Sequence, residues 1–401
     1  MSTRQAIRPA SRTDGITYAV RDIVVLAEQV AQTGREMLYL NIGDPNKFDF
    51  ATPSHMIEAA HRAMLDNQNG YTPSSGIKEA RDAIARQVER QGIRGVRDIF
   101  VTTGASEGIE IALSSLAEEG DDVMTPAPGY PLYTAVLAKL KVRENPYLLD
   151  EANGWQPDLD DIAARIGPRT RAIVLINPNN PTGSVADRDT LLGLLKLARE
   201  HDLLVVADEI YDKLLYAGQK HISIASLDPD APVITFNGVS KSYLAPGWRI
   251  GWGVVSGDQA VLAPLVEAMN KILRARICAN SPLQYAVKPA LEGPQDHLPV
   301  VLAKLERRAE LTHRMLNAIP GISCARPRAA FYAFPRVQCD DDTRFVQELL
   351  KATGVVVVNG SGFRQAPGTQ HFRVVYLPPE DVLEKAYRAI GEFMASYRPR
   401  A

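Results

Sequence analysis

Lys241 ends the run Phe236-Asn237-Gly238-Val239-Ser240, an apolar setting unlike that of a solvated lysine. An amine so placed is a candidate nucleophile and proton carrier. Asp208, in Asp208-Glu209-Ile210-Tyr211, follows the apolar run Leu203-Ala207. By itself that carboxylate could equally cap a following helix, and Tyr211 three residues on favours a chemical role. Arg373 lies inside the otherwise apolar His371-Phe372-Arg373-Val374-Val375-Tyr376-Leu377. An unpaired guanidinium there would be costly, and its planar fork matches a carboxylate. Arg249, in Pro246-Gly247-Trp248-Arg249, is a second forked cation. Ala105 and Ser106 open a helix expected to start near Glu107, where free N–H groups and the helix dipole favour a dianion. Ser106 as a simple N-cap is compatible with that role.

These residues need a scaffold that brings them together. From about 98 to 255, short apolar runs alternate with amphipathic stretches, the pattern of a parallel sheet covered by helices on both faces. The expected strands are Phe100-Thr103, Asp122-Pro126, Val142-Leu148, Ala172-Ile176, Leu203-Ala207, Val233-Asn237 and Gly251-Val255. Ala172-Ile176 and Leu203-Ala207 are continuously apolar and belong mid-sheet. Between them Leu191, Leu194, Leu195 and Ala198 recur at helical spacing and predict a crossover helix. Five strand ends carry polar groups: Gly104-Ala105-Ser106, Pro128-Gly129-Tyr130, Asn177 to Gly183, Asp208 to Tyr211, and Ser240-Lys241-Ser242. In open α/β sheets ligands collect in that crevice. Neither GxxxxGK[ST], HExxH nor GxGxxG occurs, so ATPase, zinc-protease and dinucleotide readings lack their fingerprints.

After Pro282 the texture changes to a long charged helix around Pro299-Ile319, then Phe331-Pro335, a helix near Thr343-Ala352, Gly354-Val358, Phe372-Leu377 and a final helix from Glu380. The expected organisation is α/β: a large domain over 48–283 with a mostly parallel mixed sheet flanked by helices, and a smaller α+β domain from both chain ends, 1–47 and 284–401. The chain has 401 residues, with 45 Lys+Arg against 47 Asp+Glu, which removes the main support for a nucleic-acid or polybasic membrane partner. Cys278, Cys324 and Cys339 show neither a disulfide framework nor zinc spacing. Charges throughout the first thirty residues break any signal-peptide core, and a cytoplasmic location is expected.

The ordered set Asn177-Pro178-Asn179-Asn180-Pro181-Thr182-Gly183, Ala207-Asp208-Glu209-Ile210-Tyr211, Val239-Ser240-Lys241 and Pro246-Gly247-Trp248-Arg249 resembles the class I/II aminotransferases, fold-type I enzymes of pyridoxal 5'-phosphate. Lys241 follows Asp208 by 33 positions and precedes Arg249 by eight. The resemblance implies Lys241 as the Schiff-base lysine and proton shuttle, and Asp208 as partner of the pyridinium nitrogen. It implies Tyr211 and Asn180 as donors to the ring 3' oxygen, and Ala105, Ser106, Ser240 and Arg249 around the phosphate. Tyr130 would stack on the ring, and Tyr71 would reach the phosphate of a neighbouring subunit, making the enzyme a homodimer. Arg373, with Asn180 and Gly43 close by, would hold the substrate α-carboxylate. Many relatives carry a serine where this chain has Gly238.

Within that family, Tyr18-Ala19-Val20-Arg21, Trp155 to Asp160, Phe236 to Lys241 and Ile277-Cys278-Ala279-Asn280 are most similar to bacterial alanine aminotransferases that use 2-oxoglutarate. The resemblance implies that Tyr18 and Arg21 close over the site, Arg21 toward the distal carboxylate of glutamate, with amino acids and 2-oxo acids as partners. Phe331-Tyr332 would border the side-chain pocket. Ala329 stands where many relatives carry glycine, and its methyl is expected to tighten that wall. Aspartate, methionine, aromatic and branched-chain donors stay open, as does a C–S β-lyase. A non-catalytic pyridoxal-phosphate-binding module fits least, because the 47-residue lead carries no helix-turn-helix signal.

Overall fold

The protein was analysed as a computed structural model that describes residues 7–16 and 19–399, excluding the side chains of residues 19–22. Its first strand, β1 (Leu38–Tyr39), precedes the members of the main sheet. These are β2 (Val96–Thr102), β3 (Asp122–Ala127), β4 (Arg143–Asp150), β5 (Gln156–Pro157), β6 (Thr170–Ile176), β7 (Leu204–Asp208), β8 (Val233–Gly238) and β9 (Gly251–Ser256). Their order is β2-β9-β8-β7-β6-β3-β4-β5. Pairing is antiparallel where β9 meets β2 and β8 and where β5 meets β4, and parallel elsewhere. All seven expected strands are present; β5, only two residues long, has no readable periodicity.

The apolar runs in β6 and β7 reflect burial on both faces. Ile173, Leu175, Val205 and Ala207 pack into one core, whereas Ala172, Val174, Ile176, Leu204 and Val206 pack into the other. Because strand side chains alternate, Asp208 falls on the same face as Leu204 and Val206. Helices Ala105–Leu116 and Pro131–Leu140 supply Ile109 and Tyr133 to that core. The crossover helix runs Arg188–Glu200, with Leu191, Leu194, Leu195 and Ala198 at most 2% exposed. Its cap is Asp187, whose side chain accepts from Thr190 N at 2.8 Å.

The C-terminal part holds short strands beside the helices His297–Asn317, Asp342–Thr353 and Glu380–Ser396. β10 (Ile322–Ser323) pairs with β12 (Arg336–Val337), and β11 (Tyr332–Ala333), β15 (Phe372–Val375) and β14 (Val358–Asn359) form a three-stranded sheet in that order. β1 pairs in parallel with β13 (Val355–Val356), and Val375 N donates to Leu40 O at 2.9 Å. These bonds dock the N-terminal segment, a placement that its sequence does not show. Gly354 closes the helix Asp342–Thr353 at φ +78°, where a Cβ would run into Glu36 O. No helix among the described residues is long and apolar enough to cross a membrane.

Arg308, 1% exposed, ties the chain ends to the helix that carries it. Its Nη2 lies 2.8 Å from Asp49 Oδ2, its Nε 3.4 Å from Glu380 Oε2, and its Nη1 donates to Leu377 O. Arg308→Ala would leave the Leu377 carbonyl without its donor and a void where the buried side chain packed, and is expected to cost about 2 kcal/mol. Denaturant unfolding of the purified variant measures this loss, and an unchanged midpoint would refute it.

Candidate active site

A cavity of about 220 Å³ opens at the carboxyl ends of the parallel strands. Lys241, Asp208, Tyr211, Asn180 and Tyr130 line it with Ala105, Ser106, Ser240, Arg249, Gly43 and Arg373. Lys241 follows β8, where the chain turns as Ala245 N donates back to Val239 O at 3.1 Å. Its Nζ donates to Gly43 O at 2.9 Å and lies 5.4 Å from the centre of the Phe331 ring. Burial, followed by the nearby Arg373 charge, lowers the ammonium pKa to about 8. Gly238 is explained by β9: a Cβ there would stand 2.8 Å from Ile250 O and 3.0 Å from Gly251 Cα.

Asp208 ends β7 between Ile176 and Phe236. Its Oδ1 accepts from Ile210 N at 3.3 Å and its Oδ2 from Tyr133 OH at 3.5 Å. Burial pushes the carboxyl up to about 6. The residues that follow make turns rather than a helix, so the helix-cap alternative for Asp208 is wrong. Tyr211 OH lies 2.9 Å from Tyr332 OH, and burial raises its phenol pKa.

Arg373, 2% exposed, projects from β15. Its Nη1 donates to Asn180 Oδ1 at 3.2 Å and its Nη2 to Asn41 O at 2.6 Å. Its guanidinium carbon lies 4.9 Å and 4.8 Å from the ring centres of Tyr332 and Phe363. Asn180 is held by a loop that satisfies itself: Asn179 Oδ1 accepts from Thr182 Oγ1 at 2.8 Å and Asn177 Oδ1 from Ala186 N at 3.0 Å.

At the other end of the cavity Arg249 Nη2 donates to Ser106 Oγ at 2.8 Å and to Thr103 O at 3.3 Å. The helix behind Ser106 begins at Ala105, two residues before the expected start, and its N-cap is Gly104. Ser106 is therefore not the cap. Gly104 has φ +78°, and a Cβ there would strike the Arg249 guanidinium, so glycine alone lets cation and helix end converge. Tyr130 is held beside the cavity by Gly129 N donating to Phe363 O at 2.8 Å, and Ser240 is buried in its wall.

Of the remaining expected site residues, one lies outside this chain's own cavity and two fall outside the described side chains. Tyr71 is 86% exposed and does not line the cavity. Tyr18 lies outside the described residues, as does the side chain of Arg21 in the helix Ala19–Ala31. The expectation for Ala329 is corrected: its side chain packs with Val185 and Leu215 away from the cavity, and its N donates to Gly183 O at 3.0 Å. Tyr133 was missed because a tyrosine two residues into a helix carries no sign of contact with a strand 75 residues on. The apolar walls Ile42, Ile109, Leu132 and Ile210 have no sequence signal beyond hydrophobicity.

The cavity thus joins an amine of lowered basicity, a buried carboxyl, a helix end with an arginine and, opposite, a second arginine. Such a site can hold a dianion at one end and a carboxylate at the other, with a proton carrier between. The family model for aminotransferase class I and II matches residues 35–390. Glutamate-pyruvate aminotransferase AlaA of Escherichia coli K12 is 38% identical, covering 98% of each chain. Alanine aminotransferase of Mycobacterium tuberculosis H37Rv is also 38% identical, over 98% of this chain and 94% of that one. The solved alanine aminotransferase from Pyrococcus furiosus superposes with a TM-score of 0.94 at 40% identity, over 97% of this chain and 100% of that one. With most of its length matched in sequence and fold, the chain belongs to the class I and II aminotransferase family.

Proposed function

We propose that this aminotransferase uses pyridoxal 5'-phosphate to move an amino group between L-alanine and 2-oxoglutarate in a ping-pong cycle. The observation that carries the reading is the shared cavity of Lys241, Asp208 and the Ser106–Arg249 pair. The donor set fits the cofactor: Ala105 N–H, Ser106, Ser240 and Arg249 would hold its phosphate, Asp208 its ring nitrogen, Tyr211 and Asn180 its ring oxygen, and Tyr130 its ring face. When bound, the cofactor supplies an aldehyde that accepts the amino group and a ring that draws electrons from Cα.

Lys241 would hold that group through its amine, and its Nζ would carry the proton to and from substrate Cα. With a pKa of about 8, roughly a tenth of its amine is neutral at pH 7. Ile109, Ile176 and Ile210 line the same cavity as Asp208, which is itself buried. Arg373 orients the α-carboxylate, with Asn180 already at its Nη1. Alanine as donor is supported by the names of the relatives at 38% identity. Arg21, on the N-terminal helix, would admit the distal carboxylate of 2-oxoglutarate by moving in, with Tyr18 closing beside it.

The same reading assigns 48–283 to a large cofactor domain and 1–47 with 284–401 to a small one. It makes the enzyme a cytoplasmic homodimer in which exposed Tyr71 completes the neighbouring phosphate site. A panel of amino donors against pyruvate and 2-oxoglutarate tests specificity, and rapid turnover of aspartate with none of alanine would overturn the alanine assignment.

Lys241→Ala is expected to retain the cofactor and lose turnover by at least about a thousandfold, followed in a coupled assay. Arg373→Ala removes a charged hydrogen-bonding clamp and should raise KM for amino and oxo acids roughly 10- to 100-fold, as initial rates would show. Because only the neutral amine reacts, uptake of pyridoxal phosphate by the apoenzyme should quicken as pH rises through about 8 and then level off. Stopped-flow absorbance follows this; a rate still climbing steeply above pH 9 would show an ordinary lysine.

A further inference from the structure

Three independent contacts converge on the phenol of Tyr332. Its hydroxyl is 2.9 Å from the Tyr211 hydroxyl. Its ring lies 4.9 Å from the Arg373 guanidinium carbon. The space its hydroxyl occupies is that which a Cβ at Gly43 would fill, and Gly43 O in turn accepts from Lys241 Nζ at 2.9 Å. Tyr332 is 2% exposed and sits on β11 opposite Val375, two residues along β15 from Arg373. The Tyr211 ring stands edge-on to Tyr332 at 5.7 Å and to Phe331 at 5.6 Å, so the two phenols meet in a fixed geometry. A residue needed only to wall the pocket would not require the hydroxyl bond to Tyr211.

We propose that Tyr332 is a positioning residue that couples the carboxylate clamp at Arg373 to the hydroxyl of Tyr211, and so sets how strongly Tyr211 donates to the cofactor ring oxygen. The inference rests on the function proposed above, in which the Tyr211 proton is directed at that oxygen, leaving Tyr332 to donate to Tyr211. A guanidinium over a phenol face withdraws electron density and strengthens the O–H as a donor. Hydrogen bonds in series polarise one another, so Tyr211 becomes a stronger donor in turn. That favours the deprotonated form of the cofactor chromophore. A carboxylate bound at Arg373 offsets the cation, weakens the series and lets the chromophore retain its proton at higher pH.

The test is a spectrophotometric pH titration of the visible band of the loaded enzyme, with and without maleate, a dicarboxylate that has no amine. Tyr332→Phe keeps the ring and removes the hydroxyl. It is expected to raise the apparent pKa of the band by roughly half a unit to one unit, three- to tenfold in proton affinity, and to shrink the shift that maleate causes. Tyr211→Phe should raise it as well, and the double variant should match Tyr211→Phe alone. An unmoved pKa and maleate shift in Tyr332→Phe, or full additivity in the double variant, overturns the coupling. Should Tyr332→Phe not fold, Gly43→Ala displaces the same hydroxyl and is judged on the same titration. A wild-type protein that takes up no pyridoxal phosphate overturns the function and the inference together; a normal wild-type band with an unmoved variant overturns only the role of Tyr332.

Discussion

The hydrogen bond from Lys241 Nζ to Gly43 O spans 198 positions of sequence and holds the amine within the cavity. Burial disfavours the ammonium, the like charge of nearby Arg373 disfavours it further, and a single carbonyl does not restore the solvation lost. Burial acts in the opposite sense on Asp208, whose carboxyl is pushed up to about 6. A base weakened and an acid weakened thus face one cavity, with both titrations drawn toward neutral pH. The sheet is built to permit this, because its parallel strands end together and their side chains above and below are packed.

The positive charges at the two ends are kept apart by different devices. Arg249 reaches the helix end at Ser106 because Gly104 has no side chain in its path. Arg373 is held inside the C-terminal sheet by Asn180 and Asn41 and lies between the rings of Tyr332 and Phe363. The segment around Asn41 and Gly43 therefore serves both Arg373 and Lys241. Its position depends on the pairing of β1 with β13 and on the Arg308–Asp49 contact just beyond it. Chain ends more than 300 residues apart in sequence are thereby made part of one site.

Much of this was legible beforehand for a definite reason. Ala172–Ile176 of β6 and Leu204–Ala207 of β7 are apolar without interruption because each face meets a core, and a polar residue closing such a run has few options other than the crevice. Asp208 stands out on that ground, Lys241 and Arg373 by their apolar settings, and the ordered motifs gave them roles and added Asn180. The helix start at Ala105 was placed two residues late because Gly104 caps by its φ, which residue type alone does not reveal. Ala329 was misplaced for a related reason: proximity in sequence to Phe331 and Tyr332 does not say which way the backbone turns a methyl.

The α/β layering, the crossover helix and the candidacy of Lys241 and Arg373 followed from periodicity and from the cost of leaving charge among apolar side chains, while Asp208 and Arg249 took their roles from the resemblance of the ordered motifs. Only the tertiary structure decided that Tyr133 meets Asp208, that Tyr332 joins Tyr211 to Arg373, and that β1 docks on β13. Those contacts depend on distances of a few ångströms between elements far apart in the chain. No local preference encodes them; they arise when the packed cores leave one arrangement of helices and strands in which the polar groups are also satisfied.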